Sequence, residues 1–177
     1  MTDLAFERAI DGWFPSGEAR SCSAKDLAVL ADAVDGADTA AIRAAVLLAR
    51  TQDAQAGEIL LKRLEKRTQA PPGSLAADAA DIVAAAAFAQ GAPAANAATR
   101  LASLGAGKRP HPDFAVRVEC ACSSVRLGRD EPIPYLLQVL RTGTTAGRTL
   151  SVEERPGELA WAQVRAAEAL SARAGPR

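Results

Sequence analysis

Three stretches of this chain, beginning at residues 42, 82 and 118, superpose without a gap: IRAAVLLARTQDAQAGEILLKRL, IVAAAAFAQGAPAANAATRLASL and VECACSSVRLGRDEPIPYLLQVL. In each, a first segment keeps small or apolar residues at i, i+3, i+4 and i+7, which is one face of a helix. These are Ile42, Ala45, Val46 and Ala49, then Ile82, Ala85, Ala86 and Ala89, then Val118, Ala121, Cys122 and Val125. A short turn follows. A second segment then carries Leu60, Leu61 and Leu64, or Leu101 and Leu104, or Leu136, Leu137 and Leu140. Arg100 interrupts the leucines of the middle copy, standing where Leu60 stands in the first. A single helix pair cannot bury both of its apolar faces, so a repeat of this kind must stack on its neighbours.

The flanking sequence extends the repeat. WAQVRAAEALSARAG (161–175) echoes FAVRVECACSSVRLG (114–128) and places a fourth first helix at the end, while segments 3–11 and 24–35 form a looser leading pair. Asp38, Ser74, Asp113 and Asp130 stand where helix N-caps are expected, each a short acceptor before a helical pattern. Pro93 and Pro132 fit first turns, where a missing N–H costs nothing. Alanine supplies much of the 49% hydrophobic content and aromatics only 4%, which favours close helix-on-helix packing. No alternating run of β-branched residues argues for strands. The expected fold is therefore all-α: an α-solenoid of stacked antiparallel helix pairs over residues 38–177, led by a helical cap over 1–37, in one continuous domain.

Residues 116–140, through Val116, Arg117, Leu127, Gly128, Pro134, Leu136 and Leu140, resemble HEAT-like repeats of the type also found in phycobilin lyases. The first two copies carry the resemblance through hydrophobic phase, and it covers about 38–175. It implies that the second helices line a concave face. That face would present Gln55, Glu58 and Lys62, then Ala95, Ala98 and Ala102, then Glu131, Gln138 and Arg141. Such a shallow, mildly polar groove suits a protein or peptide better than a small metabolite, which needs a deep pocket. The expected binding residues are Lys62, Lys66, Arg100, Tyr135, Gln138 and Arg141, and the expected role is a non-enzymatic scaffold or adaptor. Two other readings share the architecture. HEAT-like alkylpurine DNA glycosylases use aromatics and a carboxylate facing a basic groove, and the expected concave face offers little of either. A bilin-lyase-like accessory role rests on the repeat type alone.

The residues that could carry chemistry point the same way. Cys120 and Cys122 are ~200° apart on a helix, so they cannot share a zinc ion or form a disulfide within it. Cys122 aligns with Val46 and Ala86, and Cys120 with Ala44 and Ala84, so both are expected as small core residues. Cys22, in RSCSAKD, is the thiol expected at the surface. His111, the one histidine, stands between two prolines in KRPHPD and is expected in a surface loop. A single histidine excludes the paired His-Glu metal motifs of HEAT-repeat di-iron hydroxylases, and no CxxC, HExxH or Walker loop occurs. GAGKR (105–109) follows a predicted helix rather than a strand, which argues against a phosphate cradle. No catalytic residue, metal site or cofactor is expected.

Acids and bases balance at 21 each. Basic residues nevertheless gather at the ends of the second helices and in the loops after them: Lys62, Arg63, Lys66 and Arg67, then Arg100, Lys108 and Arg109, then Arg141, Arg148 and Arg155. They read either as a rim for nucleic acid or an acidic partner, or as cations complementing helix C-termini. Zero net charge favours the second reading, so nucleic-acid association is expected to be weak and salt-sensitive at most. Trp13, Phe14 and Trp161 are expected to cap the ends of the core. The most apolar stretch, IVAAAAFA (82–89), is too short to span a bilayer, so no membrane partner is expected. The N-terminus MTDLAFERAIDGWFPSG does not read as a signal peptide, and an odd number of cysteines without framework spacing fits the cytoplasm.

Overall fold

A computed structural model describes residues 23–51, 53–68, 75–142, 144–145, 148–149 and 156–174. Segment 3–11, Trp13, Phe14, Cys22 and Ser74 lie outside the described residues. The helices are α1 (Ala24–Val34), α2 (Thr39–Arg50), α3 (Ala54–Arg67), α4 (Leu75–Ala89), α5 (Ala97–Ala106), α6 (Phe114–Arg126), α7 (Ile133–Thr142) and α8 (Pro156–Ala174). The only strands among the described residues are Thr144–Thr145 and Arg148–Thr149, a two-residue antiparallel ladder after α7. The class is all-α.

Local chemistry sets the helix starts. Asp38 accepts from the N–H groups of Ala40 and Ala41 at 3.0 and 3.3 Å, and Asp113 from that of Val116 at 2.9 Å. Ser23 and Asp26 form a reciprocal capping box before α1, and Asp53 caps α3. Asp130 does not serve as a side-chain cap: its carboxylate accepts from Arg173 Nε at 3.1 Å, and α7 begins at Ile133. Pro93 precedes α5, which starts at Ala97, rather than opening it. Its carbonyl instead packs onto Gly57 of α3, where a Cβ would lie 1.9 Å from the oxygen. Only glycine permits that approach.

The helices contact one another in an alternating order. α1 packs on α2, α2 on α4, α4 on α6 and α6 on α8, while α3 rests on α4, α5 on α6 and α7 on α8. Forty residues apart, α2 and α4 bury the same positions: Ala41, Ala44, Ala45, Leu47 and Leu48, then Asp81, Ala84, Ala85, Ala87 and Phe88. The buried face is thus rotated from the expected stripe, since Ile42, Val46, Ala49, Ile82, Ala86 and Ala89 are only partly covered. In the second helices Leu60, Leu61, Leu64, Leu101, Leu104 and Leu136 are buried. Fully burying each such side chain contributes roughly 1.5–3 kcal/mol. Leu140 is half-buried, and Leu137 is 37% exposed.

Helix α6 runs through the middle of the core, and every residue from Phe114 to Val125 is buried. Val116 and Cys120 pack with the core built on α1 to α5, whereas Val118, Ala121, Cys122 and Val125 pack with the core built on α7 and α8. The two cysteines therefore face opposite sides of one helix, as their spacing predicts. Gly105 lets α5 close onto α6: a Cβ there would stand 2.7 Å from the backbone nitrogen of Ala121. Trp161 is half-buried against the α7–α8 side of the core. No helix among the described residues is long and apolar enough to cross a membrane.

Candidate functional site

The six residues expected to bind fall into different environments. Lys62, on α3, is exposed. Lys66, one turn later, donates to Asp35 Oδ2 at 2.6 Å on the surface. Arg100 forms a clamp between α5 and α3. Its Nε and Nη2 donate to the two oxygens of Glu65 at 2.7 and 2.9 Å, and its Nη1 reaches both oxygens of Glu58 at 2.9 and 2.8 Å. The arginine that interrupts the leucine pattern is thus what ties these two second helices together. Its hydrogen bonds hold the Glu58 carboxyl below the usual range. Tyr135 is buried beneath the Arg117 guanidinium, which lies 5.0 Å from the ring centroid. Burial pushes its phenol up to about 12. Gln138 and Arg141 are exposed on α7, beside Pro134 and Leu137. Lys66 and Arg100 thus engage carboxylates, Tyr135 is buried, and an outward face of α7 remains, carrying Pro134, Leu137, Gln138 and Arg141.

Two members of the expected basic rim are not at the surface. Arg63 is buried and gives its Nε to Asp81 Oδ1 at 2.5 Å, its Nη1 to the Gly36 carbonyl at 3.2 Å and its Nη2 to the Ala77 carbonyl at 3.0 Å. Arg67 bridges Asp81 and Asp78, each at 3.0 Å. Charges this deep persist only when their partners are in place. Lys108 and Arg109 are exposed, and Arg155 lies outside the described residues.

The same network corrects the expectation for His111. It is buried rather than a surface residue, because its N–H donates to the Leu104 carbonyl at 2.8 Å and folds the loop back onto the end of α5. Its Nδ1 accepts from the Asp113 N–H at 3.2 Å, which assigns the ring proton to Nε2, 3.6 Å from Asp81 Oδ2. Burial alone would raise the Asp81 carboxyl, but His111, Arg63 and Arg67 outweigh it and hold the group below the usual range. Asp78 behaves oppositely: burial and the nearby Asp113 raise it despite Arg67.

A third buried charge, Glu119, is paired with Arg165 of α8 at 2.6 and 2.9 Å, and Arg165 also reaches Glu168 at 2.7 Å. Periodicity missed Asp81, Arg117, Glu119 and His111. One signal was present: Ala41, Asp81 and Arg117 align in the three copies, beside residues that the repeat buries.

Cys120 and Cys122 present no thiolate at neutral pH. Burial pushes Cys120 well above the usual thiol range and Cys122 up to about 12, so both are protonated thiols. Among the described residues, no group of three or more His, Cys, Asp or Glu is placed to hold a metal ion. Two depressions are lined by described residues. One, of ≈ 520 Å³, is lined by Asp78, Ile82, Asp113, Ala115, Glu158 and Trp161 near the starts of α4, α6 and α8. The other, of ≈ 650 Å³, lies between the α4–α5 and α6–α7 turns beside Pro93, Asn96, Leu127 and Arg129. The first carries carboxylates, the wrong sign for a phosphate backbone. Compared with models of protein families, with curated proteins and with solved structures, the chain matches none.

Proposed function

We propose that this protein is a non-enzymatic interaction scaffold, a HEAT-like solenoid of helix pairs that holds a partner protein or peptide along its second helices, on the outward face of α7. The observation that carries the reading is Leu137. Its equivalent in the first copy, Leu61, is fully buried, yet Leu137 is 37% exposed and is flanked by exposed Pro134, Gln138 and Arg141. Leu137 and Pro134 supply the apolar part of this face and Gln138 and Arg141 its polar part, the mixture that a protein-binding surface carries. The alternating helix contacts and the matching buried positions of α2 and α4 support the solenoid.

The charges favour a protein over a nucleic acid. Arg63, Lys66, Arg67 and Arg100 are each engaged by a carboxylate, so these four cations of the second helices carry little uncompensated charge. Binding a phosphate backbone needs several uncompensated cations on one surface. The test is a paired measurement. Leu137→Glu and Arg141→Glu should abolish capture of the partner in a pull-down, with Val164→Glu as an exposed control that leaves it intact. Titration with duplex and single-stranded oligonucleotides near physiological salt should show weak binding or none. Submicromolar oligonucleotide binding that collapses on Lys62→Glu with Lys66→Glu would replace the scaffold reading with a nucleic-acid one.

A further inference from the structure

We propose that Arg117 and Tyr135 form a recognition site for a carboxylate. Arg117 is 9% exposed and Tyr135 8% exposed, so both are essentially interior. The other interior charges are compensated: Arg63 by Asp81, Asp81 by Arg63 and Arg67, and Glu119 by Arg165. Arg117 differs. Among the described residues its buried Nε–H has no hydrogen-bond partner. Its contact is the face of the Tyr135 ring. A ring face attracts a cation but accepts no hydrogen bond in the guanidinium plane, so the N–H edge is left for an acceptor. The hydroxyl of Tyr135, on the ring that Arg117 covers, is a second buried and unpartnered group. With its phenol pushed up to about 12, it is a donor at neutral pH.

A planar guanidinium edge and a neighbouring O–H are the donors that a two-oxygen anion takes. The local charge selects a carboxylate over a phosphate. One guanidinium supplies one positive charge, which a singly charged carboxylate balances and a phosphate exceeds. Tyr135 lies three residues before the exposed Gln138 on α7, so an acidic side chain or chain terminus of a docked partner is the assigned source. That source, though not the site itself, rests on the scaffold reading.

The experiment uses the full chain, with the Arg117 Nε–Hε resonance and the melting temperature as readouts. Sodium acetate is titrated against sodium chloride and sodium phosphate at matched ionic strength. Acetate should shift the Arg117 resonance saturably and raise the melting temperature, with chloride doing neither. Arg117→Met should abolish both effects, and without acetate it should melt no lower than the parent, because it removes a buried charge that lacks a partner. Tyr135→Phe should weaken acetate binding by about three- to tenfold. Absence of an acetate-specific shift, or an Arg117→Met variant that melts much lower with or without acetate, would overturn the site. Phosphate acting at lower concentration than acetate would overturn its class. Peptides with a free or an amidated C-terminus separate the sources. Preference for the free acid, tighter than acetate, supports a protein source. Equal binding of acetate and peptide refutes that source while the site stands.

Discussion

Replacing Asp81 with alanine should be among the most damaging single changes in this protein. The side chain is fully buried and accepts from Arg63 at 2.5 Å and from Arg67 at 3.0 Å, with His111 Nε2 3.6 Å away. After the change, Arg63 keeps only the carbonyls of Gly36 and Ala77, and Arg67 keeps only Asp78. Arg63, 2% exposed, is then a buried cation without a counter-ion. Breaking a buried pair from one side costs about 3–5 kcal/mol, a large part of the ~5–15 kcal/mol that holds a domain together. In urea denaturation followed by far-ultraviolet circular dichroism, with a slope of ~1–3 kcal/mol per molar, the midpoint should fall by roughly 1 M or more. Lys66→Ala removes a surface pair with side chains 71% and 46% exposed, and should cost ~0–1 kcal/mol. An Asp81→Ala cost no larger than that of Lys66→Ala would refute the buried network. The pH dependence has a definite sign. The Asp81 carboxyl is held below its unfolded value, so its stabilisation is present above about pH 4 and lost as pH falls through its folded value. Asp78, raised in the folded state, opposes this loss. Asp81→Asn should therefore flatten the loss of stability in acid.

Leu136→Ala should cost about 2–5 kcal/mol and Leu137→Ala about 0.5 kcal/mol or less, since the first is fully buried and the second 37% exposed; equal costs in the same urea assay would show that the face of α7 is misassigned. Cys122→Val should be close to neutral in stability, and Cys122, with its thiol pushed up to about 12, should react with a thiol reagent at neutral pH only as fast as the protein unfolds. Rapid labelling of Cys122 in the native state would contradict its burial. Gly105→Ala should cost about 1–3 kcal/mol because the new Cβ meets the Ala121 backbone at 2.7 Å, whereas Gly157→Ala, with nothing within 4 Å, should not destabilise. Equal effects would show that α5 does not press on α6 as described.

The parts of the fold legible in the sequence are those carried by leucine and by short acidic caps. Leu60, Leu61, Leu64, Leu101, Leu104 and Leu136 are large enough to mark a buried face, and Asp38 and Asp113 mark helix starts by a local hydrogen bond. The faces of α2 and α4 were harder to read. Alanine surrounds them and gives no contrast between sides, so the true buried face, through Ala41, Ala44, Leu47 and Leu48, lies rotated from the one that Ile42 and Val46 suggest. The charged interior was not legible at all. Arg63 and Asp81 are 18 residues apart, and each alone resembles a solvated residue; only the packing of α3 on α4 brings them together. His111 shows the same limit, since two flanking prolines suggest a surface loop while one backbone bond to Leu104 draws it inward. At the candidate site, Arg141 and Gln138 stand on the surface as periodicity implies. Tyr135 is covered by an arginine from another helix that no local pattern could place there.

A photo-crosslinking residue at position 137 in the full chain, with the exposed position 164 of α8 as control, reports whether the outward face of α7 holds the proposed protein partner. Leu137 is 37% exposed and Val164 57% exposed, so exposure alone favours the control. A discrete protein adduct is expected from position 137, absent from position 164 and lost when Arg141→Glu is added. Equal adducts from both positions, or nucleic acid as the species joined at 137, would contradict it.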